Sequence, residues 1–105
     1  MLVNNFYFNN NGNILTINSQ NEVFYNGNKI TIDNEKLTDS LMNIIYIICN
    51  WNSEYIDTSV IDGNDWKIAI EYVDGVNREY RGHGMYPDNF DGVNTLIKEI
   101  VGDNL

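Results

Sequence analysis

Residues 65–101 read DWKIAIEYVDGVNREYRGHGMYPDNFDGVNTLIKEIV, and this stretch decides the fold. Trp66, Ile68, Ile70 and Tyr72 alternate with Lys67, Ala69, Glu71 and Val73. Successive side chains of a strand point to opposite faces, so this period predicts a strand with one buried face. Asp74-Gly75 supplies a turn, because glycine accepts the left-handed backbone that other residues resist. A three-residue loop of Val73, Asp74 and Gly75 sets Ile68 opposite Tyr80 and Trp66 opposite Gly82. Tyr80 then joins the apolar face, while Lys67, Glu79 and Arg81 share the wet one. Pro87 ends the strand region, and Asp88 is placed to cap the following helix by accepting its free backbone N–H groups. Phe90, Val93, Leu96, Ile97, Ile100 and Val101 recur at helical spacing, which makes one apolar stripe. Gly102 follows as a C-terminal stop. The predicted unit is a hairpin followed by a helix that lies on the hairpin's apolar face.

The upstream half repeats the theme. Leu2 to Phe8 reads as a strand, the asparagine-rich run Asn9 to Asn13 as a turn, and Ile14 to Ile17 as a second strand. In that second strand Leu15 and Ile17 share one face, Ile14 and Thr16 the other. Val23 to Tyr25 and Lys29 to Ile32 flank Asn26-Gly27, a pair that tolerates the positive φ angles of a type I′ hairpin turn. Asp33 can cap a helix running to Asn50, with Leu37, Leu41, Ile44, Ile45 and Ile48 on one face. The β-branched run Ile44 to Ile48 also suits a buried strand, but the helical pattern continues for more than three turns, so a helix is expected. Cys49 at its end reads as a small buried hydrophobe. Trp51 to Asn64 is expected to be a plain link. The resulting layout is β-β-β-β-α-β-β-α, a single α+β domain over 1–105 with an antiparallel sheet and both helices on one face.

Composition narrows the class of function. The net charge is −9, from 15 acidic and 6 basic residues. Such a surface repels nucleic acid and anionic membranes and attracts basic partners. The charge is uneven: residues 1–32 are neutral, 33–65 carry −6, and 66–105 carry −3. There are 19 Asn but only 4 Lys. AT-rich coding would enrich both, so mutational bias alone does not account for the acidity; acidity that serves solubility is the plain alternative. A lone cysteine makes no internal disulfide. The N-terminus lacks the basic-then-apolar pattern of a signal peptide, and the longest apolar run, Ile44 to Cys49, is too short to span a bilayer. The expected location is the cytoplasm.

Catalytic signatures are sparse. His83, in Arg81-Gly82-His83-Gly84, is the single histidine. Without a second histidine or a reactive cysteine it makes neither a nucleophilic triad nor a typical zinc site. Its flanking glycines suit close backbone approach by a ligand, or equally a bend where the strand leaves the sheet. Asp62 to Asp65 and Asp88 to Gly92 look faintly like calcium loops but lack the EF-hand ligand order; a turn and a helix cap account for them. No enzyme, cofactor or metal is expected. Trp51, Tyr55 and Tyr86 show no clear burial pattern; core or helix-edge packing is the expectation for each, with partner anchoring or sugar stacking as the alternative.

With an acidic linker and no catalytic constellation, the chain resembles the small acidic proteins that phages and mobile elements of AT-rich bacteria encode, anti-CRISPR proteins among them. The likeness is one of type and spans the whole chain. The stretch from Trp66 to Tyr86 followed by Pro87-Asp88-Asn89-Phe90 also resembles a recurrent hairpin–helix of bacterial proteins. The resemblance implies an inhibitor whose partner is a basic protein, a CRISPR effector nuclease, with no direct nucleic-acid or membrane contact and a monomeric or weakly dimeric state. RNA-guided nucleases hold nucleic acid in positively charged channels, which a folded acidic surface can occupy as a phosphate mimic. The contacts this implies are Glu54, Asp57, Asp62 and Asp65, with Glu71 and Asp74 secondary. An immunity protein that caps a basic nuclease toxin has the same surface chemistry. A carbohydrate or small-ligand module using exposed Trp, Tyr and Asn is the reading from a different class.

Overall fold

Hairpins with tight turns generate the first half of the chain. In the computed structural model, which describes residues 3–102, β1 (Val3–Asn10) and β2 (Asn13–Ile17) close at Asn11-Gly12, and β3 (Val23–Tyr25) and β4 (Asn28–Ile30) close at Asn26-Gly27. Both residues of each turn have positive φ, 53° and 93° in the first and 50° and 84° in the second. That is the backbone a type I′ hairpin demands and Asn-Gly tolerates. The first strand runs to Asn10, past its expected end at Phe8; Leu2, its expected start, lies outside the described residues.

The second hairpin unit has the expected register. β6 (Asp65–Tyr72) and β7 (Asn77–His83) pair with Ile68 opposite Tyr80 and Trp66 opposite Gly82. The Tyr72 amide bonds the Val76 carbonyl at 2.9 Å, which leaves Val73, Asp74 and Gly75 as the loop. Trp66, Ile68, Ile70 and Tyr80 are buried, and Lys67 pairs with Glu79 at 3.2 Å on the opposite face.

The helices are α1 (Asn34–Ile48) and α2 (Phe90–Val101). The Asp33 carboxylate accepts the Lys36 amide at 3.1 Å and caps α1. Its buried stripe is Leu37, Ser40, Leu41, Ile44 and Ile48, so the β-branched run is helical; Ile45 lies at the stripe's margin. In α2, Phe90, Val93, Ile97, Ile100 and Val101 are buried, Leu96 is half-buried, and Gly102 ends the helix with its amide on the Lys98 carbonyl. The two helices touch each other and share one hydrophobic core with Phe6, Phe8, Leu15, Ile17, Val23 and the buried face of β6. The protein is an α+β domain whose helices cover one face of the sheet.

Three expectations need correction. The sheet is mixed. The stretch expected to be a plain link contains β5 (Glu54–Ile56), which pairs parallel to β7 and gives the strand order β4-β3-β2-β1-β6-β7-β5. Asp88 does not cap α2. The cap is Asn89, in left-handed conformation (φ 66°) and without a side-chain cap bond, and the Phe90 amide is satisfied instead by the Pro87 carbonyl at 3.2 Å. Cys49 is exposed, not buried; it lies one residue past Ile48, about 100° round the helix, and its thiol reaches the Tyr46 carbonyl at 3.1 Å.

Candidate acidic interface

Edge strand β5 carries the candidate site. Glu54, Tyr55 and Ile56 pair with Arg81, Gly82 and His83. The loop that follows returns to β7 through backbone bonds at both ends. The Asp57 amide bonds the His83 carbonyl at 3.0 Å, and the Gly84 amide bonds the Asn64 carbonyl at 3.0 Å. Asp65, which begins β6, lies opposite His83. Glu54, Asp57, Asp62 and Asp65 therefore belong to one end of the β5–β7–β6 edge.

Each acid has a distinct local role. Glu54 pairs with Arg81 at 2.7 Å on an exposed surface. Asp57 accepts from both the hydroxyl and the amide of Ser59, at 2.6 and 3.0 Å, and these hydrogen bonds hold its carboxyl below the usual aspartate range. Asp62 is exposed on the loop beside Ile61, which is 90 % exposed. Asp65 bonds His83.

The secondary candidates lie elsewhere. Glu71 accepts from Asn5 at 2.8 Å on the helix-free face of the sheet. Asp74 closes the β6–β7 turn by accepting the Val76 amide at 3.0 Å. That turn is separated from His83 by the length of β7, roughly 20 Å at the usual strand rise. Glu71 and Asp74 are not part of the β5-edge cluster.

His83 is the residue whose role the sequence left open. Its Nδ1 lies 2.5 Å from Asp65 Oδ1 and its Nε2 lies 3.0 Å from the Val60 carbonyl. Both partners are acceptors. A neutral imidazole has one N–H and satisfies one of them; the imidazolium donates to both. The hydrogen bond to Asp65 raises the His83 pKa most and the Val60 carbonyl next; burial opposes them, and the charges of Asp65 and Asp57 add smaller upward effects. His83 thus fastens the 57–64 loop to β6. Because the folded value is raised, this stabilisation is full below the unfolded histidine value of about 6.5 and is lost as pH rises through the folded value. An NMR titration of the ring is expected to place the His83 midpoint above that of a free imidazole, and Asp65→Asn is expected to lower it. A midpoint at or below the free value would contradict the two-acceptor geometry.

Aromatic packing makes this end rigid. Trp51 packs against Tyr55, Trp66, Tyr80 and Phe90 with ring centroids 5.8–6.4 Å apart. The Trp66 indole N–H donates to the Met85 carbonyl at 2.9 Å. Trp51 and Tyr55 are therefore half-buried core residues, while Tyr86 stays 41 % exposed. Gly82 serves this packing: a Cβ there would overlap the Trp66 indole nitrogen and fall 2.8 Å from the Met85 carbonyl oxygen. Among the described residues no three of His, Cys, Asp and Glu come together as a metal-binding group, and no helix is long and apolar enough to cross a membrane.

Comparison with protein-family models, with curated proteins and with solved structures finds no match.

Sequence reasoning missed β5. It is three residues long, lacks a legible alternation, and pairs with a strand that begins more than twenty residues later. Tyr55-Ile56, a pair of strong strand formers four residues after Trp51, was the available signal.

Proposed function

We propose that the chain is an inhibitor that binds a basic, nucleic-acid-handling protein, of the CRISPR effector nuclease type, through its β5 edge. The observation that carries this reading is that β5, the 57–64 loop and the start of β6 carry Glu54, Asp57, Asp62 and Asp65 on one end of the sheet edge, with Ile56 and Ile61 exposed in the same segment. Arg81 and His83 are the basic groups paired into that cluster. Exposed large apolar side chains in an acidic segment are ordinary at the centre of a binding surface. The acids would meet the arginines and lysines that the partner uses on phosphates, in charge-assisted hydrogen bonds. The rigid aromatic layer beneath keeps the ordering cost of association small.

Capture from a bacterial lysate by the tagged chain tests this reading. The expected result is retention of a basic nuclease at low salt, its release at high salt, and inhibition of its cleavage by added chain. Charge pairs at a surface are screened beyond about 10 Å at 0.1 M salt and beyond about 3 Å at 1 M, so release is expected over that range. Recovery of no nuclease, or of one whose retention and cleavage ignore salt and added chain, would contradict it.

A further inference from the structure

Between the β1–β2 turn and the start of α2, the chain forms a polar cleft of about 780 Å³ that contains none of the four acids of the interface. Asn10 and Asn11 at the β1–β2 turn, Asn64 ahead of β6, and Asn89 and Asn94 at the start of α2 line it, with Tyr86 as one wall. The volume falls in the range of small-molecule sites, roughly 300–1,000 Å³. Those sites are mostly apolar, whereas this one is dominated by side-chain amides.

Most asparagine amides of the cleft are open to a ligand. Asn9, Asn18 and Asn26 spend their side-chain oxygens on turn amides at 2.8–3.0 Å. Asn13, which also lines the cleft, accepts from the Asn26 side-chain amide at 3.3 Å, whereas among the described residues Asn10, Asn11, Asn64, Asn89 and Asn94 make no side-chain hydrogen bond to another residue. Each amide offers both donors and an acceptor, the pairing that a hydroxyl group needs. They come from three separate parts of the chain, so helix capping does not account for the set.

The cleft walls are fixed. The Asn11 amide bonds the Asp65 carbonyl at 2.7 Å, which ties the β1–β2 turn to β6. The Tyr86 ring lies nearly parallel to Trp66 (17°, centroids 6.5 Å apart) and tilts onto Phe90 at 4.7 Å. A half-exposed aromatic held this way is a preformed stacking surface. No lysine, arginine or histidine lines the cleft, while Asp88 and Asp91 do. That charge disfavours phosphates, nucleotides and other anions and leaves two further acceptors for hydroxyl donors.

We propose that this cleft is a binding site for a neutral saccharide, with the asparagine amides and Asp88 and Asp91 meeting its hydroxyls and Tyr86 stacking on a sugar ring. The site adjoins the β5 edge at Asn64 but uses none of its four acids, and it does not depend on the inhibitor reading.

A glycan array carrying neutral and anionic glycans, probed with the parent chain at low and high salt, tests it. The expected result is retention of at least one neutral glycan at both salt concentrations and of no sialylated or sulfated glycan. For the retained glycan, Tyr86→Ala is expected to weaken binding about tenfold or more. Asn64→Arg and Asn94→Arg, which fill the cleft from its rim and leave the core untouched, are expected to do the same. Replacing Glu54 and Asp62, acids of the β5 edge that hold no part of the cleft, is expected to leave glycan binding unchanged, so the two sites fail independently. Retention of no neutral glycan, or equal retention by the parent and both arginine variants, would overturn the proposal.

Discussion

Trp66→Ala is expected to lower the unfolding free energy by about 3–5 kcal/mol, the range of large aromatic truncations in a core. Trp66 is 2 % exposed and stands at the centre of the aromatic layer, touching Trp51, Tyr55, Tyr86 and Phe90. Truncation opens a cavity between the sheet and the start of α2. It also removes the donor to the Met85 carbonyl, which leaves that backbone acceptor to water. A domain of this size has roughly 5–15 kcal/mol to lose, so the variant sits near the edge of folding at room temperature. Chemical denaturation monitored by circular dichroism checks the value. A loss below about 1 kcal/mol would mean that the aromatic layer does not hold the β5 edge in place.

The second large effect concerns binding. The variant carrying Glu54→Gln, Asp57→Asn, Asp62→Asn and Asp65→Asn is expected to bind the captured partner about 100-fold more weakly, or not measurably. Close charge pairs across protein interfaces couple by about 1.5–7 kcal/mol, and a rim pair by less. Four such contacts together exceed the roughly 2.7 kcal/mol that corresponds to 100-fold. The fold is expected to survive. Glu54 and Asp65 are exposed, where ion pairs contribute little to stability. Asn at position 57 keeps an oxygen for the Ser59 amide and hydroxyl. The measurement is titration of the partner with each variant, alongside a denaturation curve that shows both chains folded.

The hairpin–helix was legible because its signals agree at every level. Alternation in β6, a turn at Asp74-Gly75 and a helical stripe in α2 each point to one register, and the pairing of Ile68 with Tyr80 follows. The α1 run Ile44 to Ile48 was legible only through its neighbours. Leu37 and Leu41 extend the helical phase, and the Asp33 cap starts it, which outweighs β-branched propensity. Strand β5 was not legible, because a short edge strand is defined by the strand it joins and not by its own pattern. Gly82 was ambiguous in sequence, since a glycine reports that something approaches the backbone without saying what. The structure supplies the approaching group, the Trp66 indole, sixteen residues earlier in the chain. The gathering of Glu54, Asp57, Asp62 and Asp65 was read from their nearness in sequence. It arises physically because β5 and the 57–64 loop are bonded back onto β7. Glu71 and Asp74 lie in the same stretch of chain but are carried away by the length of the hairpin.

The most direct test of the acidic interface separates a local patch from overall charge. Two variants with the same net charge are compared in low-salt capture and in inhibition of the captured nuclease. One carries the four substitutions at the β5 edge. The other carries Glu35→Gln, Asp39→Asn, Asp74→Asn and Glu99→Gln, all exposed and carried by α1, the β6–β7 turn and the second half of α2, away from that edge. The account predicts that the first loses capture and inhibition while the second keeps both within a few-fold of the parent. Equal loss in the two, or none in the first, would contradict it.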